Sequence, residues 1–206
     1  LLMHQQPMTV NQLENDFGLT RSEVNDYLKR IQSWCTSFDI NVNISKKKGI
    51  TVNGNEMNIR NAILHLNQLS TKHQTVEQFI LNEIPEAHIQ MIFQIIKNNL
   101  SDYQIQTSDI RIRQLLIHLI IIFKRNNDND ASWVVDEESQ IIAQHCIDEI
   151  NRKLAYGLSD ETAKLFSFFI SYYFNFLAIQ FPLLFDNVLI QYRLHFPLIQ
   201  YHTFCL

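Results

Sequence analysis

The stretch Leu115-Leu-Ile-His-Leu-Ile-Ile-Ile-Phe-Lys-Arg125 restricts the fold of this chain most. One histidine interrupts a run of aliphatic side chains, and a basic pair closes it. Arg111 stands seven residues before His118, and Arg125 seven after. At ~3.6 residues per turn, seven residues are almost two turns, so the three side chains share one stripe of a helix. By itself such a helix belongs in a core, with its histidine satisfied by burial. Arginines on either side of a titratable, nucleophilic imidazole also make a site suited to phosphate.

The totals set the limits. At 206 residues with 46% hydrophobic side chains, the chain holds one or two domains with a sizeable core. Four glycines and four prolines leave little room for long linkers, and no G-x-G-x-x-G or G-x-x-x-x-G-K loop occurs. Net charge is −4, yet residues 1–60 carry seven Lys/Arg against six Asp/Glu, while the rest carries ten against fifteen. Cys35, Cys146 and Cys205 form no C-x-x-C pair, which fits a reducing, cytoplasmic setting. His145-Cys146 lacks further ligands at metal spacing, and no Ser/His/Asp set or carboxylate pair can be placed. Neither cofactor nor catalysis is expected. The start at Leu1 reads as a fragment or a truncated frame, without the basic start of a signal peptide. Leu165–Phe185 is 21 uncharged residues, long enough to span a bilayer. Its Ser167, Ser171, Tyr172, Tyr173, Asn175, Gln180 and Pro182 favour a buried interface helix instead, so no membrane partner is expected.

The first sixty residues alternate helix and turn signals. Thr9 caps a short helix, Val10–Phe17, with Val10, Leu13 and Phe17 on one face. Gly18 breaks it with a positive φ. Thr20-Arg-Ser-Glu23 is a capping box for a second helix whose apolar stripe is Val24, Tyr27, Leu28, Ile31 and Trp34. Ile40–Ile44 and Ile50–Val52 alternate about Ser45-Lys-Lys-Lys-Gly49, a β-hairpin with lysines at its tip. Helix, glycine turn, capped helix and hairpin together read as a winged helix-turn-helix on double-stranded DNA. Thr20, Arg21, Ser22 and Asn25 then stand at the reading end of the second helix. Lys29, Arg30 and the wing residues Lys46, Lys47 and Lys48 face phosphates.

The run from Asn11 through Gly18-Leu-Thr-Arg-Ser to Ile31, followed by Lys48-Gly-Ile-x-Val-x-Gly-Asn-Glu56-x-x-Ile-Arg60, resembles the Mga-type winged helix domain. Such domains occur in sugar-operon activators that carry phosphotransferase-system regulation domains (PRDs). The resemblance implies a full helix before Thr9, of which only Leu1-Leu2-Met3 remains, so the first helix is expected to be incomplete.

The rest reads as helical. Ile59–Leu69 links the wing to Val76–Asn82, and Glu86–Asn99 and Ile110–Arg125 follow. Asn126–Ala131 is a loop. Glu137–Ala155 ends near Gly157 as the C′ residue, and Ser159-Asp-Glu161 caps an aromatic-rich helix running to Phe181. The expected class is mainly α: a winged helix at 1–60, a linker helix at 61–74 and a helical bundle at 75–181. Ser108-Asp109, Leu115-x-x-His118-Leu-x5-Arg125 and Leu158-Ser-Asp-Glu161 resemble a PRD. The resemblance implies that His118 accepts a phosphoryl group from HPr or a sugar-specific transporter component. It also implies a homodimer whose packing the phosphate shifts. Arg111 and Arg125 would support that phosphate. A second family histidine falls on Phe168 and is missing. Residues 182–206, with His195 as a second candidate, resemble the start of another, truncated PRD. The alternative expectation is a helical dimerisation module that neither binds DNA nor takes phosphate. A weaker alternative anchors the chain in a membrane through Leu165–Phe185.

Overall fold

The computed structural model describes residues 1–3, 6–69, 76–125 and 135–174. Within them, α1 (Val10–Phe17) and α2 (Arg21–Thr36) precede a two-stranded sheet of β1 (Asn41–Ser45) and β2 (Gly49–Asn53). Six further helices follow: α3 (Glu56–Leu64), α4 (Val76–Leu81), α5 (Glu86–Asp102), α6 (Asp109–Arg125), α7 (Glu137–Leu154) and α8 (Asp160–Phe174). A single 3-10 turn, Leu66–Gln68, trails α3.

Both helix starts near the N-terminus are closed reciprocally. The Gln12 amide donates to Thr9 Oγ1 at 3.1 Å while the Thr9 amide donates to Gln12 Oε1 at 2.7 Å. The Glu23 amide and Thr20 Oγ1 meet at 3.4 Å, and the Thr20 amide donates to Glu23 Oε2 at 2.8 Å. Each box satisfies two amides that helix geometry leaves open. Gly18, at φ 63°, turns the chain between them. The apolar faces are narrower than the spacing predicts. Val24, Leu28 and Cys35 are buried on α2, but Tyr27 is 50% exposed and Phe17 of α1 is 66% exposed. No residue of α1 is fully buried. A helix packed against one neighbour covers only the part of its stripe beneath that neighbour.

The hairpin pairs Asn41 with Asn53 through Ser45 with Gly49. It begins at Asn41, not Ile40, whose side chain is buried. Gly49 has φ 76°, and a Cβ there would lie 2.7 Å from the Met8 carbonyl oxygen, the same oxygen that takes the Ile50 amide at 2.7 Å. Only glycine fits both demands.

Several helix bounds differ from expectation: α4 stops at Leu81, α5 runs on to Asp102 and α6 starts at Asp109. The linker helix starts at Glu56 because Asn55 caps it, its Oδ1 taking the Met57 amide at 2.9 Å. It stops at Leu64, and residues 70–75 lie outside the described set. α7 ends before Ala155, which itself adopts the left-handed conformation (φ 55°) and sends its amide to Asn151. Gly157 also has positive φ but lies beyond the cap. Asp136 and Ser159 cap α7 and α8 as N-terminal residues. The loop expected at Asn126–Ala131, the aromatic helix beyond Phe174 and all of 182–206 are outside the described residues.

α6 is the centre of the helical part, packing on α4, α5 and α8, while α7 packs on α5 and α8. Every residue from Leu115 to Ile122 is buried. Isoleucine is an indifferent helix former because its branched Cβ crowds the preceding turn. Burial holds α6 together instead, each large aliphatic side chain contributing roughly 1.5–3 kcal/mol. The core it joins also holds Ile92, Ile96 and Leu100 of α5, with Phe166 and Ile170 of α8. No helix among the described residues is long and apolar enough to cross a membrane.

Candidate functional site

The chain presents two candidate sites of opposite character. The first is the outer face of α2 with the hairpin tip. Thr20, Arg21, Ser22, Asn25, Lys29 and Arg30 are all exposed, and so are Lys46, Lys47 and Lys48. Thr20 does double service, since its hydroxyl also donates to Glu23 Oε2 at 2.7 Å. Arg21 Nη1 donates to Asn11 Oδ1 at 3.1 Å and lies 3.8 Å from Glu14, so α1 steadies it without covering it. Lys29 Nζ is 3.6 Å from Asp26, an exposed pair of little strength. In the turn, Ser45 Oγ takes the Lys47 and Lys48 amides, each at 3.3 Å. The three lysine side chains project from a turn whose backbone is tied down. Glu23 sits in this array, its carboxyl held below the usual range by the hydrogen bonds from Thr20.

The second site is His118. Its ring is buried on α6 and stacks on Phe169 of α8, with centroids 4.0 Å apart and planes 19° apart. Nε2 shares a 3.1 Å hydrogen bond with the Tyr173 hydroxyl, whose direction follows the ring tautomer. Burial pushes the His118 pKa down to about 3, with the Arg60 guanidinium adding to the effect. Burial likewise raises Tyr173, which therefore keeps its proton. The imidazole is neutral at ordinary pH, the form with a nucleophilic lone pair, and α8 covers one of its nitrogens.

The flanking arginines share the helix but not the histidine's surroundings. Arg111 is exposed and donates from Nη1 to the Tyr173 carbonyl at 3.2 Å. Arg125 is buried, with its fork on Glu56: Nε to Oε1 at 2.6 Å and Nη2 to Oε2 at 2.8 Å. Its Nη1 donates to the Leu2 carbonyl. Phe168 packs edge-on against Phe169 at 5.4 Å. His195 lies outside the described residues.

Sequence reasoning gives no role to Tyr173, Phe169, Glu56 or Arg60. The i, i+4 spacing of Phe169 and Tyr173 places them together on α8, and Glu56 and Arg60 are an i, i+4 acid–base pair. Nothing local announces that either pair meets α6. Among the described residues no group of three or more His, Cys, Asp or Glu is placed to hold a metal ion.

Residues 1–67 match the Mga helix-turn-helix domain. A stretch of 125 residues, 61% of this chain, is 23% identical to the transcriptional regulator ManR of Bacillus subtilis (strain 168). The match spans 19% of that relative's length. The relative is a transcriptional regulator by name, and the matched family model is a helix-turn-helix domain. The capped helix pair and its wing lie within the segment that matches the Mga helix-turn-helix domain.

Proposed function

We propose that this chain is part of a cytoplasmic, DNA-binding transcriptional regulator of sugar-utilisation genes. In this reading residues 1–60 contact DNA, 61–74 link, and 75–181 form a PRD. A second PRD begins in 182–206. The observation that carries the DNA reading is the exposed face of α2 beside a lysine-tipped hairpin, within the segment that matches the Mga helix-turn-helix domain. Arg21, Ser22 and Asn25 reach base edges at the N-terminal end of α2. Lys29, Arg30 and Lys46 to Lys48 neutralise phosphates on either side.

Control comes from His118 in a homodimer. The phosphoryl donor is HPr or a sugar-specific transporter component carrying phosphohistidine. The P–N bond of the donor breaks, its electron pair returning to the donor ring. A new P–N bond forms from the nitrogen of His118 that bears no hydrogen. For Nε2 to act, the Tyr173 hydroxyl must first move away, so the end of α8 opens for transfer. The product carries close to two negative charges, which the buried position does not tolerate unpaired. Arg111, freed from the Tyr173 carbonyl by the same motion, is one candidate to meet them, and Arg60, whose charge already acts on the ring, is another. For Arg125 to do so, it must leave Glu56.

Selection from a random duplex library tests the DNA reading. The wild-type chain is expected to enrich a defined sequence at low salt, and Arg21→Ala with Asn25→Ala to lose it. Failure of the wild type to enrich any sequence contradicts the reading.

One observation favours a second reading, a module that only dimerises. His118 is as well enclosed as a structural core histidine, with an aromatic stack and a hydroxyl partner. In that case no phosphate reaches it.

A further inference from the structure

Glu56 is the first residue of α3, directly after the Asn55 cap that ends the wing. Acidic residues are common there because the helix N-terminus is positive. This one is used differently. Its side chain is 5% exposed, and it takes two hydrogen bonds from the fork of Arg125, the last residue of α6, 69 positions away. Arg60, one turn along α3, donates to the same Oε1 at 3.0 Å. One buried carboxylate thus joins the helix that continues the wing to the helix that carries His118. The next residue on α3, Asn61, is 2% exposed, and among the described residues neither its Oδ1 nor its Nδ2 has a hydrogen-bond partner. A buried amide without a partner is a local cost, which a packing that pairs it removes. Buried two-pronged guanidinium–carboxylate contacts are strong and directional, so they hold a single register or give way as a unit.

We propose that Glu56 is the coupling residue between the winged helix and the His118 helix. Its carboxylate, shared by Arg60 and Arg125, locks α3 on α6, and its release loosens both together. Coupling through a packed, charged contact needs two discrete arrangements, and Asn61 gives the second one something to gain. The inference does not depend on phosphorylation of His118.

Hydrogen–deuterium exchange of the full chain tests it, comparing wild type with Glu56→Gln. Amides of residues 56–64 and of 119–125 are expected to exchange about tenfold faster or more. Those of α7, residues 137–154, which packs on α5 and α8, are expected not to change. If Glu56→Gln does not fold, Arg125→Lys keeps the charge, gives up the fork and is expected to show the same pattern in weaker form. Acceleration confined to 56–64 overturns the proposal, as does no acceleration at all. Equal acceleration through α7 overturns it too, because the pair then supports global stability alone.

Discussion

The α2 face and the His118 site are built on contrary terms. On α2 the polar side chains stand in water, and the work is done by the backbone: two capping boxes, one glycine turn and a tied hairpin tip. Along α6 the polar groups His118 and Arg125 are inside, and they are answered by partners from distant elements, Tyr173 and Glu56. An open face holds its groups ready and loses little stability when they change. An enclosed site is stable only as it stands, and any chemistry at it requires a neighbour to move. The proposed division of labour follows, with a preformed surface that reads DNA and a closed site that reports a signal by opening.

Changes at the buried polar contacts of α6 should therefore dominate stability. Glu56→Gln removes the carboxylate that Arg60 and Arg125 share, and is expected to cost about 3–5 kcal/mol in urea unfolding. Arg125→Met should fall at the lower end of that range, because Arg60 still holds Glu56. Equal, small losses in both would break the contrast at its strongest point.

Acid provides the next test. The folded pKa of His118 lies at about 3 against 6.5 in the unfolded chain, so between those values the unfolded state binds the extra proton. Stability is then fully present above pH 6.5 and falls with pH at about 1.4 kcal/mol per unit, roughly 2 kcal/mol by pH 5. His118→Phe, which keeps an aromatic ring against Phe169, should remove that slope. A slope unchanged in the variant would assign the acid response elsewhere.

On the open side, Thr20→Ala is expected to cost about 1 kcal/mol, the loss of one N-cap. It should also weaken DNA binding by fraying the end of α2 that presents Arg21 and Ser22. Smallest of all, replacing Lys46, Lys47 and Lys48 by Ala should change stability by less than about 0.5 kcal/mol. The same change should reduce the slope of log affinity against log salt by about 0.9 for each phosphate that is no longer neutralised. A large stability loss with an unchanged salt slope would make the hairpin structural.

The same contrast decides what is legible in the sequence. Thr9, Gly18, Thr20 and Glu23 act within a few residues of themselves, and their spacing marks both helix starts and the turn between them. Asn55 is as local a signal as Thr20, but the wing motif runs across it to Arg60 and hides the start of α3. For α7, nothing in the spacing marks Ala155 over Gly157, since both adopt positive φ. The partners of α6 are beyond local rules altogether. Arg125 meets Glu56 across 69 residues, and His118 meets Tyr173 across 55. The helical spacing sets Arg111, His118 and Arg125 at seven-residue intervals along α6. It carries no information on what the neighbouring helices bring to α6. Arg125 is therefore found in an ion pair with Glu56, and Arg111 on a backbone carbonyl.

The most direct measurement is phosphoryl transfer to His118 in the full chain. With phosphoenolpyruvate, Enzyme I, HPr and the sugar-specific transporter components, the wild type is expected to take an acid-labile label that His118→Ala abolishes. Tyr173→Phe, which uncovers Nε2 without removing the ring, should take the label faster. No label in either the wild type or Tyr173→Phe, or a label that survives His118→Ala, would contradict the account.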